Sequence, residues 1–239
     1  MINKTALVVI PTTGSKSLGD ALESVCKQTH RNTECLVVID GPAYYDASLA
    51  ILKNFPYVKH MTLPWNVGAN GWYGHRIYFA SAPLMEQDYW FALDQDNWFE
   101  SSHIETMIAA CENNNWNWCH SLRKIYNSNK EYICDDDCES LGKWPIYLNN
   151  QAHLVDTSTY CISKNVIVSV APAWYSGWGG DRRFYQAVSQ YFPNFGCTGQ
   201  STVCYRLDGN PNSVNAEFFL QGNAVMRARH PTGFPWRLH

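Results

Sequence analysis

Short apolar segments alternate with stretches of helical periodicity through the first half of the chain, and this alternation constrains the fold more than any other feature. The clearest segments are residues 5–10, 35–39 and 89–93, which are rich in β-branched and aromatic side chains typical of buried strands. Strands that alternate with helices predict a mostly parallel sheet flanked by helices on both faces. We therefore expect a single α/β domain.

Composition and charge exclude several classes of protein. Of the 239 residues, 46% are hydrophobic and 16% are charged, as in globular rather than disordered proteins. The formal net charge of −3 and the pI near 6.2 provide no basic surface for nucleic acid or anionic lipid. No apolar stretch is long enough to span a bilayer, and no export signal is recognisable. We therefore expect a cytoplasmic protein without a transmembrane segment.

The nine cysteines are odd in number and follow no disulfide spacing, which favours buried thiols in a reducing cytosol. The nearest approach to a metal cluster is Cys134 and Cys138, which flank three consecutive aspartates at 135–137. No second Cys/His pair has the spacing of a zinc site. The sequence therefore favours a solvated acidic loop over a zinc site here.

Polar residues follow the predicted strands at positions that a parallel sheet brings to one edge. Asp94 and Asp96 come directly after the third strand, and two carboxylates so placed are costly unless a cation lies between them. Mg²⁺ or Mn²⁺ shared with a diphosphate suits this position, since both ions prefer oxygen ligands. Asp40, after the second strand, is expected to hydrogen-bond a base or ribose, although Asp40-Gly41-Pro42 is also a good turn sequence.

Five segments occur in a recognisable order: Val8-Val9-Ile10-Pro11-Thr12, the helical stretch with Leu22, Ser24, Val25 and Gln28, residues 34–41, Asn66-Val67-Gly68, and Asp94-Gln95-Asp96. In this order they resemble the inverting family-2 glycosyltransferases. The resemblance implies a GT-A (Rossmann-like) α/β fold, a nucleotide-sugar donor and a divalent metal, Mn²⁺ or Mg²⁺.

The resemblance also implies roles for individual residues. The residues that it implies for binding the nucleotide sugar are Pro11, Thr12 and Thr13 of the first loop, together with Asp40, Asn66, Arg76 and Asp94. The resemblance implies that Asp94 and Asp96 bind the metal, with Asp96 as the direct ligand and Asp94 nearer the ribose or a metal-bound water.

The second half of the chain carries Gly177-Trp178-Gly179-Gly180-Asp181, which is similar to the Trp-Gly-Gly-Glu-Asp segment of galactosyltransferases. Trp178, Gly179 and Gly180 are expected to bind the acceptor, because glycine lets the backbone approach a ligand and Trp offers a stacking face. Asp181 is expected to be the general base, although an aspartate here also suits a helix N-cap. The family usually has a second acid in this segment, where this chain has Arg182.

The strand–helix alternation ends near Leu122. We expect residues 1–122 to form a nucleotide-binding half and residues 123–239 an acceptor-binding half, with residues 227–239 as a C-terminal arm. Three histidines, His75, His153 and His230, are candidates for a third metal ligand, and residues 156–158 are expected to line the acceptor side.

These features together predict a glycosyltransferase that moves a sugar from a nucleotide sugar, with UDP-sugars as the first candidates, to a hydroxyl group of a glycan or other acceptor. Three alternatives stay open. A retaining GT-A enzyme would leave Asp181 as a helix cap, whereas a catalytically silent carbohydrate-binding protein would have no use for Asp94 and Asp96. A sugar-1-phosphate nucleotidyltransferase would need a Gly- and Arg-rich first loop, which residues 11–16 do not provide.

Overall fold

The computed structural model describes residues 3–148, 152–207 and 214–237. In this part of the chain, nine strands form one sheet with the order β3–β2–β1–β4–β8–β6–β9–β5, and β7 pairs with β6. The strands are β1 (Ala6–Thr12), β2 (Thr33–Ile39), β3 (Lys59–Thr62), β4 (Tyr89–Ala92), β5 (Trp98–Phe99), β6 (Trp118–Tyr126), β7 (Tyr132–Asp135), β8 (Tyr160–Ser163) and β9 (Phe195–Arg206). The helices are α1 (Leu18–Cys26), α2 (Tyr45–Leu52), α3 (His75–Ser81), α4 (His103–Asn114), α5 (Lys164–Val170), α6 (Gly180–Tyr191) and α7 (Ala216–Arg229).

The sheet is mixed, whereas the sequence predicted a mostly parallel one. Strands β1 to β4 are parallel, as expected from their helical connections. Strand β8 runs antiparallel to both β4 and β6, and β5 runs antiparallel to β9. Burial periodicity does not encode strand direction, so the sequence located these segments without revealing how they pair.

The core lies on both faces of the sheet, because successive strand residues point to opposite sides. In β1, Val8 and Ile10 pack with buried residues of α1 and α4, whereas Leu7 and Val9 pack with buried residues of α3, α5 and α6. Because helices cover both faces, the sheet is open at the ends of its central strands. The loops that follow β1, β2 and β4 lie there.

The acidic segment near Cys138 is buried, so the expectation of a solvated loop is wrong. Asp136 is fully buried, and Glu139 nearly so. Both carboxylates accept hydrogen bonds from the guanidinium of Arg123, which is itself only 2% exposed. Buried carboxylates need such a partner. Arg123 lies 13 and 16 residues before these two acids, and no local pattern in the sequence connects it with them.

The C-terminal segment also packs, although the sequence suggested an arm. Helix α7 contributes Phe219 and Met226 to a third apolar cluster, and this cluster also contains the fully buried Trp236. The indole N–H of Trp236 and the Nε–H of Arg237 both donate to Asp137, at 2.8 and 2.6 Å. The aromatic and arginine residues that the sequence assigned to a free arm therefore hold the C-terminal segment against the rest of the protein.

Eight of the nine cysteines are buried free thiols, and Cys26 is exposed. Within the described ranges, Cys134 and Cys138 do not belong to a group of side chains that could hold a metal ion. The sulfur atoms of Cys111, Cys119 and Cys161 do form such a group, since they all lie within 4.8 Å of one another. None of the described helices is both long enough and apolar enough to cross a membrane.

Candidate active site

A pocket of about 600 Å³ opens at the carboxyl ends of β1, β2 and β4, and residues from both halves of the chain line it. Pockets of this volume suit small-molecule ligands. The structure places most of the sequence-predicted site residues on its wall: Pro11, Thr12, Thr13, Asp40, Asn66, Asp94, Asp96, Trp178, Gly179 and Asp181. Arg76 and Gly180 are the two predicted site residues that do not line it.

Gln95 ties the loop after β1 to the loop after β4, a role that the sequence did not reveal. Its side-chain oxygen accepts hydrogen bonds from the hydroxyl of Thr12 (2.7 Å) and the backbone N–H of Thr13 (3.1 Å). Its side-chain N–H donates to the hydroxyl of Thr13 at 3.0 Å. Gln95 thus fixes the distance between the first loop and the two acids that flank it. Its position between Asp94 and Asp96 was the one feature of the sequence that could have indicated this role.

Asp40 lies in the pocket wall and also holds the loop after β3. Its two carboxylate oxygens accept the backbone N–H groups of Val67 (2.7 Å) and Gly68 (2.9 Å). A Cβ at residue 68 would fall 2.6 Å from Asp40 Oδ2 and 2.4 Å from the carbonyl oxygen of Tyr73, so only glycine fits this close approach. Asp40 therefore positions the neighbouring loop, in addition to any contact with a ligand.

Asp94 lies among other acids, and this environment favours its protonated form. Its Oδ1 accepts a hydrogen bond from the hydroxyl of Tyr78 at 2.7 Å, and its backbone N–H donates to the hydroxyl of Ser158 at 3.2 Å. Burial, reinforced by the negative charges of Asp96 and Asp156, raises the pKa of Asp94 to about 7. The pocket thus concentrates negative charge around Asp94.

Asp156 adds another carboxylate to the wall of this pocket. Its Oδ2 accepts a hydrogen bond from Arg123 at 2.7 Å, and its Oδ1 accepts the backbone N–H of Ser158 at 3.0 Å. Burial raises the pKa of Asp156, the guanidinium of Arg123 opposes this rise, and the charge of Asp181 adds to it. Asp156 therefore links the buried Arg123 cluster to the site, a connection that only the fold creates.

Asp181 is the second residue of α6, and Gly179, with a φ of 78°, is the N-cap, so the interpretation of Asp181 as N-cap is wrong. The Oδ1 of Asp181 accepts the backbone N–H of Arg182 at 2.8 Å. Gly180 is buried, and a Cβ there would fall 2.5 Å from Nδ1 of His75, so glycine at this position allows the close packing of His75 against α6. The same Nδ1 donates to the carbonyl oxygen of Ser176 at 2.8 Å, which joins the first turn of α3 to the loop before α6.

Three of the sequence candidates lie elsewhere or are otherwise engaged. The guanidinium of Arg76 lies 3.6 Å above the ring of Trp72 and donates to the carbonyl oxygen of Val67, so the structure does not bring it to the pocket. His153 contacts the carbonyl oxygen of Gly142 and stacks on Tyr185, outside the pocket. His230 packs against Phe234 and Trp236 in the C-terminal cluster. Of the three histidines, His75 alone lines the pocket.

Comparisons with known proteins identify the family and the fold of this chain. The family described as Glycosyl transferase family 2 matches residues 7–159, well over half of the chain. Among solved structures, the chain is similar to S. aureus TarS 1-349 in complex with UDP, with a TM-score of 0.66, 14% identity, and coverage of 96% of this chain and 66% of that chain. The complex of the same protein with UDP-GlcNAc gives a TM-score of 0.66 and 16% identity over 94% of this chain and 65% of that chain.

A longer TarS structure matches with a TM-score of 0.65 and 14% identity over 97% of this chain but 44% of that chain. The chain therefore spans about two thirds of the shorter TarS chains and less than half of the longer one. The comparison with curated proteins finds no significant match. At these identities the structural likeness shows the fold, and it agrees with the GT-A fold expected from the sequence. Because the family match covers most of the chain, this protein belongs to glycosyl transferase family 2.

Proposed function

We propose that this chain transfers a sugar from a nucleotide-sugar donor, with UDP-sugars as the first candidates, to a hydroxyl group of an acceptor, with inversion at the anomeric carbon. The observation that carries the proposal is the convergence of Asp94, Asp96, Asp156 and Asp181 on one pocket with the first loop and Asp40. The TarS structures contain UDP and UDP-GlcNAc, which supports uridine as the base to try first.

The nucleoside end of the donor is assigned to the side of the pocket formed by β1 and β2. Pro11, Thr12 and Thr13 border it at the end of β1, Asp40 borders it at the end of β2, and Asn66 borders it from the loop after β3. Asp40 already accepts two backbone N–H groups, but a carboxylate has about four acceptor positions and so can accept a ribose hydroxyl as well. A nucleoside contact by Asp40 would therefore be compatible with its role in holding the adjacent loop.

The carboxylates suit a hard divalent ion. Asp94 and Asp96 supply oxygen ligands of the kind that Mg²⁺ and Mn²⁺ prefer. The raised pKa of Asp94, caused by burial and by the charges of Asp96 and Asp156, indicates an excess of negative charge that a cation would relieve. We assign such an ion to Asp94 and Asp96, where it would neutralise the charge of the departing nucleoside diphosphate.

Asp181 is assigned the role of general base. In the proposed step the acceptor oxygen bonds to the anomeric carbon, the bond from that carbon to the diphosphate oxygen breaks, and the acceptor proton moves to Asp181. Attack from the face opposite the leaving group inverts the configuration. Asp181 suits this role because it lies on the pocket wall and carries one described hydrogen bond from a backbone N–H, so that its carboxylate retains acceptor capacity.

A donor screen tests the proposal. The wild-type protein is incubated with a panel of UDP-, GDP- and TDP-sugars and Mn²⁺, and release of the nucleoside diphosphate is measured with and without a chelator. We expect release from one class of donor, loss of that activity on chelation, and a strong loss in Asp96→Asn. Glu86→Gln is the matched control, because Glu86 is 91% exposed and lies outside the pocket.

Two outcomes would contradict different parts of the proposal. Absence of donor binding and turnover across the whole panel would reject the transferase function and favour a silent carbohydrate-binding protein. Full activity after exhaustive chelation would reject the metal only. The anomeric configuration of the product, determined by NMR, separates the inverting from the retaining enzyme.

A further inference from the structure

Two loops that each contribute an aromatic residue to the pocket wall carry four aromatic side chains, which we call the aromatic lip: Trp72, Tyr73, Tyr175 and Trp178. Tyr73 and Trp178 line the pocket directly and are 58% and 76% exposed. Tyr175 is also largely exposed. Clusters of large exposed apolar side chains are uncommon on monomeric surfaces unless something binds there.

The aromatic lip joins two loops from different halves of the chain. The rings of Trp72 and Tyr175 lie 5.0 Å apart, and the guanidinium of Arg76 lies 3.6 Å from the centre of the Trp72 ring and 5.4 Å from that of Tyr175. Cation–π and ring–ring contacts of this kind hold the side chains in place. Arg76, which the sequence assigned to the nucleotide, thus holds together the loop before α3 and the loop before α6.

The ring of Tyr73 is held at the pocket by an unusual backbone. Tyr73 has a φ of 51°, a left-handed conformation that is uncommon for a bulky residue. Its backbone N–H donates to the carbonyl oxygen of Gly68 at 3.0 Å, and the N–H of Gly68 is bonded to Asp40. Residues keep such conformations where the surrounding structure imposes them, which is most frequent at binding sites.

The composition of the two loops indicates the chemistry of their ligand. Residues 68–74 and 175–179 consist of glycine, aromatic residues, one alanine, one asparagine and one serine, without any Leu, Ile, Val or Met. An aliphatic chain would require a continuous aliphatic surface, which these loops do not supply. Separate aromatic faces beside carboxylates suit a ring with apolar C–H faces and polar hydroxyl edges, because the face packs on the aromatic ring and the edge hydroxyls form hydrogen bonds.

We propose that the aromatic lip binds a pyranose ring of a carbohydrate acceptor and presents its hydroxyl group to Asp181. This inference rests on the proposed transferase function, and it names the acceptor class that the function leaves open. Trp178 lies three residues before Asp181, and both line the same pocket, so a sugar stacked on the lip lies next to the base. Tyr73 and Trp178 contact the acceptor, whereas Trp72, Tyr175 and Arg76 position the two loops.

A glycan microarray tests the assignment. Fluorescently labelled protein, with UDP and MnCl₂ present, is applied to an array of neutral oligosaccharides, and apparent affinities are compared for wild type, Trp178→Ala, Tyr73→Ala and Trp178→Phe. Loss of one stacking ring should weaken glycan binding about 2- to 12-fold, and Trp178→Phe should keep most of the affinity. Tyr57→Ala is the matched control, because Tyr57 is an aromatic residue that is 98% exposed and lies outside the pocket.

UDP affinity, measured by calorimetry on the same variants, separates the failure of this inference from the failure of the proposed function. We expect all variants to bind UDP as the wild type does, which also shows that they are folded. If UDP binds but no glycan is retained, or if Trp178→Ala and Tyr73→Ala retain glycans as well as Tyr57→Ala does, the carbohydrate acceptor is overturned and the transferase function stands. If the wild-type protein binds neither UDP nor any nucleotide sugar, the proposed function itself fails.

Discussion

The replacement Arg123→Met should strongly destabilise the protein, because Arg123 neutralises a buried group of carboxylates. Its guanidinium donates to Asp136 at 2.7 and 3.0 Å, to Glu139 at 2.8 Å and to Asp156 at 2.7 Å. Methionine has a similar apolar stem but no charge, so the replacement leaves the buried Asp136 and Glu139 and the partly buried Asp156 without their cation. The variant therefore tests the electrostatic role with little change in volume.

The expected loss is about 3–5 kcal/mol, the usual cost of removing one partner of a buried ion pair. This is a large share of a total stability of about 5–15 kcal/mol. For a chain of this length each kcal/mol lowers the Tm by roughly 2–4 °C, so the Tm should fall by roughly 6–20 °C. Urea unfolding followed by circular dichroism at pH 7.5 measures the difference in free energy of unfolding.

The pH dependence of this loss provides a second test. In the wild type, burial acts to raise the pKa of Asp136, but the charge of Arg123 and the backbone N–H groups of Cys138 and Ser140 outweigh it and hold this pKa below its ordinary value. The stability that Asp136 contributes is therefore present above its unfolded pKa and is lost as the pH falls. In Arg123→Met the unpaired buried acids have raised pKa values and take up protons at higher pH. The difference in free energy between the two proteins should therefore narrow from pH 7.5 to pH 5.

The matched control is Arg31→Met, because Arg31 is exposed and a surface replacement usually changes stability by less than about 0.5 kcal/mol. A loss of less than about 1 kcal/mol in Arg123→Met, or a loss that does not change between pH 7.5 and pH 5, would refute the view that Arg123 compensates the buried acids.

Three further predictions concern the pocket. Because the pKa of Asp94 is raised to about 7 in the folded protein, ionisation of Asp94 destabilises the metal-free protein as the pH rises from about 4 to about 7. Asp94→Asn should therefore raise the Tm at pH 8 in the presence of chelator and have little effect on the Tm at pH 4. Equal shifts of the Tm at both pH values would count against this prediction. Asp40→Ala should weaken the binding of UDP and of UDP-sugars to the same extent, by about 1.5–3 kcal/mol of binding free energy, the usual contribution of a hydrogen bond to a charged group. Unchanged affinities in calorimetry would limit Asp40 to its structural role. Asp181→Asn keeps the side-chain oxygen that accepts the backbone N–H of Arg182, so it should fold and bind donor normally but transfer sugar about 10²–10⁴-fold more slowly; a rate near that of the wild type would remove Asp181 as the base.

The sequence by itself determined the α/β class, the location of the first strands, and the place where the ligand pocket lies. These follow from local patterns: β-branched runs form the buried strands, and parallel strands bring their carboxyl ends to one edge of the sheet. Asp40, Asp94 and Asp96 were therefore identifiable as neighbours although more than fifty residues separate the first from the others. Trp178, Gly179 and Asp181 were identified by resemblance to a known segment, and the structure places them on the same pocket.

Only the tertiary structure decided which charged side chains found partners and where each one points. Arg76 looked like a nucleotide ligand, but its guanidinium stacks on Trp72, and the loop before α6 places Tyr175 against the same two side chains. The acidic segment near Asp136 looked solvated but is buried, because β6 supplies Arg123 to neutralise it. Local patterns report whether a residue is polar and how often apolar residues recur. The free energy of a buried charge depends instead on groups distant in the sequence, and these come together only when the sheet has formed.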